Sequence, residues 1–292
     1  MNAVRTRLPR AVAALLCGCL VVLPPPAAAA ELKKKSVETF DRYVCLTEAR
    51  IDAEIQKSDP YLWVDSLPEP KRTEAYTKLR RGEIFIERLK TLDNGKPIKD
   101  DNSIIHHWTG TVFVPGVTLE QTITLAQQYD GHAEIYKPDV MRCRVLERDG
   151  NHFKVFFRFY KRKAGVTTVH NTEHDVRYIP IDAQRLHTRA IATRIAQVQD
   201  HDKPDGPEKP IGNDGGFLWR LNSYWRYLER DGGTYIQLES VSLTRDIPAV
   251  IAWLIRPFIE GIPRESLAFT LGTTRKALLE RHPSTAAAKP SM

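Results

Sequence analysis

Apolar and polar positions alternate along most of this chain, and the alternation predicts its elements. Residues 31–57 carry Phe40, Val44, Ile51 and Ile55 at spacings of four and seven, one face of a helix. A second short helix is expected over 68–81. Strands follow over 83–92 and 103–114, joined through Asp93-Asn94-Gly95, and Pro115-Gly116 ends the second. Thr118 with Gln121 three residues on predicts a capped helix carrying Leu119, Ile123 and Ala126 on one side. Four more strands are expected over 140–148, 152–163, 167–179 and 185–199. Their short connections make neighbours antiparallel. In 153–160, Phe153, Val155, Phe157 and Phe159 form one face of a strand. The segment 201–216, rich in Asp, Pro and Gly, reads as an exposed loop, and 283–292 as a disordered tail.

The last quarter is the most distinctive part. Strand 217–230, the turn Asp231-Gly232-Gly233 and strand 234–245 lead into a helix from about Ala249. In the first strand Phe217, Trp219, Leu221, Ser223, Trp225 and Tyr227 share one parity, an aromatic face interrupted by a serine. This pattern fits a mostly apolar pocket with a few polar anchors; a filled core is the alternative. Between Ala249 and Ile262 the helix keeps only Arg256 and Glu260 as charges, and it includes Trp253 and Phe258. A helix so apolar is buried, covers a cavity mouth or touches a membrane. The Arg256-Pro257 step and Gly261-Ile262-Pro263 predict interruptions, the first suited to a hinge.

Order and pattern together resemble the START-like (SRPBCC, Bet v 1-type) superfamily of polyketide cyclases and lipid-transport proteins. GGTYIQLESVSLTRDIP running into the last helix carries most of the likeness, which spans about 68–281. The resemblance implies an α+β helix-grip fold, a curved antiparallel sheet wrapped around a long C-terminal helix with a cavity between them. With the other segments read from the residues themselves, the chain divides into a signal peptide (1–30), a helical leader (31–67), the helix-grip domain (68–282) and the tail (283–292). The resemblance further implies a hydrophobic small molecule or lipid as partner, bound and perhaps transferred. The expected ligand-binding residues are Trp219, Leu221, Ser223, Trp225, Tyr227, Glu239, Trp253 and Phe258, with transient membrane contact through 249–262. No cofactor is expected. The competing readings are a cyclase- or hydrolase-like enzyme in the same cavity, with Glu239 as acid or base, and a packed interaction module that binds nothing.

Glu239 carries that choice. If its parity faces the cavity it is a buried carboxylate and needs a cation, for which Arg142, Arg144, Arg158 and Arg194 are candidates. If not, Ile236 and Leu238 point inward and Glu239 is a surface residue. His170 and His174 share a strand face with Thr172, Val176 and Tyr178 but stand about 13 Å apart, too far to chelate one ion, and read best as a solvated face. His106-His107-Trp108 reads as ordinary alternation. No metal site or nucleophile motif is found.

Export follows from the first thirty residues. Arg5, Arg7 and Arg10 precede an apolar run, a proline break and Ala28-Ala29-Ala30, placing cleavage near Ala30. The product would be periplasmic or secreted. Leu16-Cys17-Gly18-Cys19 offers the alternative of a lipoprotein anchored at Cys19. Without the leader the net charge falls from +7 to +4, dispersed, and nucleic acid is not an expected partner. Cys45 and Cys143 could pair in an oxidising compartment or serve as small buried apolar residues.

Overall fold

The structure, a computed structural model, describes residues 30–283 except 58, 164, 201, 202, 204, 205, 247 and 248; for 249–260 it describes the backbone alone. Eight strands form one antiparallel sheet: β1 (Phe85–Arg88), β2 (Ser103–Pro115), β3 (Val140–Asp149), β4 (His152–Lys163), β5 (Val166–Pro180), β6 (Arg185–Gln197), β7 (Arg220–Arg230) and β8 (Gly233–Arg245). Their order across the sheet is β1-β2-β8-β7-β6-β5-β4-β3. From β3 to β8 each strand pairs with the next, and β8 then closes against β2. The edge strand β1 is shorter than the alternation predicts, because only Phe85 to Arg88 pair with β2.

The helices are α1 (Lys34–Ile55), α2 (Lys71–Arg80), α3 (Leu119–Gln127), α4 (His132–Ile135) and α5 (Ala249–Arg281). The cap of α3 is the expected one: Thr118 Oγ1 accepts from the Gln121 amide at 3.2 Å, and the Thr118 amide donates to the Gln121 side chain at 3.0 Å. The β7–β8 turn places Asp231 and Gly232 at φ of 58° and 72°, the left-handed pair a two-residue hairpin requires.

The two faces of the sheet are covered by different helices. On one, Leu267, Leu271 and Leu278 of α5 pack against Val112, Tyr227, Ile236 and Leu238. Gly110 makes room for this contact: a Cβ there would lie 2.9 Å from Leu271 Cδ1 and closer still to Leu267. On the other, Phe40, Tyr43 and Ile51 of α1 pack against Tyr224, Val241 and Leu243. The result is an α+β helix-grip fold, a curved sheet holding its C-terminal helix, with α1 added on the far side.

The predicted breaks in the last helix do not occur. α5 runs 33 residues without interruption through Pro257 and Pro263. The residue before a proline disfavours the helical region, and each proline removes one backbone bond. Neither effect forbids helix, and α5 continues into a second half fixed by its leucines on the sheet.

Candidate functional site

The α5-facing side divides into two halves. Toward the C-terminal half of α5 it is closed core. Tyr227 belongs there, buried among Leu186, Ile236 and α5, and it stacks on Trp225 at 6.1 Å. Beside that core the same face is only half-buried, with Trp108, Ala190 and Trp225 packed against its edge. Leu221, Ser223 and Trp225 of β7 lie there with Trp108 of β2 and Ala190 of β6. Register places Ser240 between Ser223 and Trp108, so a strip of hydroxyls crosses the aromatic surface. Phe157 and Phe159 stack at 5.2 Å on the β4 side. The Trp108 indole N–H is buried and has no acceptor among the described residues. Such a donor costs free energy unless something accepts its hydrogen bond.

Three of the predicted binding residues therefore meet on this half-buried patch: Leu221, Ser223 and Trp225. Trp219 does not. It precedes the first paired residue of β7, so it does not inherit the strand's parity. Its ring joins the α1-side cluster and its indole donates to Asp214 at 3.1 Å. Trp253 and Phe258 lie outside the residues whose side chains the structure describes, as do Cys19 and the rest of residues 1–29.

Glu239 meets neither sequence alternative as stated. Ile236 and Leu238 do point toward α5, so Glu239 faces away from the gripped side. Yet it is 1% exposed, because α1 covers that face. Its cation is none of Arg142, Arg144, Arg158 and Arg194. Arg50 of α1 forms an ion pair with Oε1, and His107 Nε2 donates to the same oxygen at 2.8 Å. Since a carboxylate only accepts, His107 carries its proton on Nε2. Its Nδ1 meets the Tyr43 hydroxyl at 2.9 Å, which also accepts from the Thr91 amide at 2.8 Å. Burial alone would raise the Glu239 carboxyl, but the His107 hydrogen bond and the positive charges of Arg50 and Arg226 outweigh it and hold it below its ordinary value.

The network extends along α1. Glu54 accepts from Arg50 at 2.9 Å and from the buried Arg226 at 2.6 Å, and Arg226 also binds the Tyr61 carbonyl at 2.7 Å. Arg189 pairs with Asp52, and the Tyr224 hydroxyl donates to Glu48 at 2.9 Å. Chemically this is a charge lock that fastens α1 to the sheet. His107, Arg50, Arg226 and Tyr43 were not visible as partners in the sequence. The available signal was charge complementarity: Glu48, Asp52 and Glu54 on one helix against Arg189 and Arg226 on the strands.

The histidine reading also changes. His170 and His174 are each 5% exposed rather than solvated. They stand on the α5-facing side, where His174 Nε2 meets Thr172 Oγ1 at 2.9 Å and its ring lies edge-on to Phe157 at 5.3 Å. Burial pushes both imidazoles down to about 4. Cys45 and Cys143 are both free. Cys45 is exposed on α1, whereas Cys143 packs against the α5-side core, where burial pushes its thiol up. Among the described residues no group of three metal-ligating side chains gathers, and no helix is long and apolar enough to cross a membrane.

No protein-family model and no curated protein matches the chain. Solved structures align with it in part. A STAR-related lipid transfer protein from Xanthomonas axonopodis is 13% identical over 65% of this chain and 98% of its own, with a TM-score of 0.42. An aromatase/cyclase from a Streptomyces species is 13% identical over 64% and 100%, with a TM-score of 0.41. A START superfamily protein from Mycobacterium smegmatis is 11% identical over 62% and 99%, with a TM-score of 0.39. Overlaps this loose carry no argument about activity. The helix-grip assignment stands on the strand order and on the helix held by the sheet.

Proposed function

We propose that this protein is exported and binds a hydrophobic small molecule or lipid on the half-buried part of its α5-facing sheet. The observation that carries the reading is the surface around Trp108, Leu221, Ser223 and Trp225, aromatic, half-buried and provided with a buried indole N–H that has no acceptor among the described residues. Removing such a surface from water supplies affinity at roughly 25 cal/mol per Å² of apolar area. Ser223 and the Trp108 N–H then orient a polar end of the ligand. The apolar residues 249–262 are the part of α5 that would touch a membrane while the ligand is loaded or delivered. The leader 1–30, with cleavage near Ala30, supports a periplasmic or secreted location.

Glu239 is not the acid or base of this site, since its carboxylate lies on the opposite face of the sheet and is engaged by Arg50 and His107. Native mass spectrometry and solvent extraction of the exported protein test the proposal. A co-purifying apolar molecule, or uptake of an apolar fluorescent probe, is expected. Protein that is consistently empty and binds no apolar probe would overturn it. Cell fractionation with a radiolabelled acyl chain separates a free exported product from one anchored at Cys19.

A further inference from the structure

A buried carboxylate lies outside both the α5-facing surface and the Glu239 lock. Asp214 is 1% exposed. Its Oδ1 accepts from the Gly216 amide at 2.6 Å and from the Trp219 indole at 3.1 Å, whereas Oδ2 is buried with no hydrogen-bond partner among the described residues. A buried charge left in this way is costly and calls for a cation. The positive charges of Lys209 and Arg245 act on the carboxyl, yet burial outweighs them and raises it above its ordinary value.

Asp214 belongs to a two-stranded ladder apart from the main sheet, Ala30–Glu31 against Asn213–Asp214. Ala30 stands directly opposite Asp214, and Glu31 opposite Asn213. Opposite residues of an antiparallel pair send their side chains to the same face, with Cα atoms about 5 Å apart. Ala30 and Leu32 pack with Trp219 in the α1-side cluster, and the same indole binds Asp214. The Leu32 amide donates to the Gly212 carbonyl at 2.6 Å, and α1 starts at Lys34. The place where leader cleavage is expected and the carboxylate oxygen without a partner thus coincide.

We propose that leader removal creates the missing cation: the α-ammonium released near Ala30 becomes the counter-ion of Asp214 Oδ2 and ties the start of α1 to the 212–216 segment. The proposal rests on the reading that the chain is exported and cut near Ala30. Hydrolysis of that peptide bond leaves a carboxylate on the leader and an amine on the mature chain, and the amine is protonated at neutral pH. In the uncut chain the same nitrogen is a neutral amide and supplies no charge. The Glu31 carboxylate, the other anion at the new terminus, is exposed and pairs with Lys33 at 2.5 Å.

N-terminal sequencing of the exported protein, followed by acylation of its α-amine with a small activated ester, tests the pairing. The mature chain should start at Ala30 or Glu31. At pH 7 its α-amine should react about tenfold more slowly in the native protein than in urea, because a paired ammonium gives up its proton less readily. The pH profile of the rate separates pairing from mere shielding. Pairing moves the midpoint of the amine above about 8, whereas burial without an anion moves it below. Asp214→Asn retains an oxygen for Gly216 and Trp219 but no charge, and it should bring the midpoint back to about 8 or lower. The comparison of native with urea-unfolded parent needs no variant. A chain that keeps its leader, or that starts elsewhere, overturns the cleavage near Ala30 and the pairing with it. A chain that starts at Ala30 or Glu31 but whose α-amine titrates at or below about 8, or titrates alike in parent and Asp214→Asn, overturns the pairing alone.

Discussion

The two faces of β8 solve opposite problems with one strand. Toward α5 it presents Ile236 and Leu238, and α5 answers with Leu267 and Leu271. Toward α1 it presents Gln237 and Glu239, and the answer comes from the Trp63 amide, which donates to Gln237 Oε1 at 2.6 Å, and from Arg50 and His107. Both faces are buried, so the polar parity of a strand is not a sign of solvent. It can instead mark the docking of a charged helix. The difference also allocates function. Among the described residues both faces leave buried polar atoms without a partner, Glu239 Oε2 and Gln237 Nε2 toward α1 and the Trp108 indole N–H toward α5, but only the α5 side sets its donor among half-buried aromatics.

The sharpest way to break the contrast is to remove one member of the lock. Glu239→Ala leaves Arg50 and His107 without their carboxylate and should destabilise the fold by about 4 kcal/mol, measured by urea unfolding. Leu271→Ala, a cavity on the apolar side, should cost about 3 kcal/mol in the same assay. Gly110→Ala drives a methyl group into Leu267 and Leu271 and should cost about 2 kcal/mol by overpacking.

Acid should act on the buried histidines of both faces before it reaches Glu239. Burial lowers His132, His170 and His174 from 6.5 to about 4, so the native state resists protons that the unfolded chain accepts. Their contribution is complete above about 6.5 and is lost as pH falls toward 4. His187, on the α1 side, behaves in the same way. Glu239, held below its ordinary 4.5, contributes in full above that value and loses its contribution as pH falls through its lower folded value. Stability measured against pH should therefore decline first through the histidines. His174→Leu should flatten the slope between pH 6.5 and 4 and leave the decline below it. The smallest stability effect is expected at the proposed ligand surface. Trp108→Phe removes a donor that has no acceptor among the described residues and should change unfolding by no more than about 0.5 kcal/mol, while weakening an apolar probe with a polar end about fivefold.

Much of the architecture was legible in the sequence. The strands over 103–115 and 140–197, the Asp231-Gly232 turn and the Thr118 capping box depend on neighbours a few residues away, and local pattern records such features. The continuity of α5 was not legible, because Pro257 and Pro263 carry a real local penalty that does not break the helix. The partners of Glu239 were hidden for a different reason. Arg50 is 189 residues away in sequence, and nothing local distinguishes an arginine that pairs across a sheet from one facing water. Trp219 misled because the alternation of β7 starts one residue later, at Arg220. Leu221, Ser223 and Trp225 were recoverable because they lie inside the regular ladder.

The central claim is that the ligand sits on the α5-facing surface and not beneath α1. Native mass spectrometry of the full chain with a long-chain fatty acid, comparing Ser223→Arg with Arg189→Ala, tests it most directly. Ser223 lies within the aromatic patch, while Arg189 belongs to the α1 lock. The account predicts that the fatty-acid adduct disappears in Ser223→Arg and persists in Arg189→Ala. An adduct that survives Ser223→Arg, or that is lost only with Arg189→Ala, would contradict it.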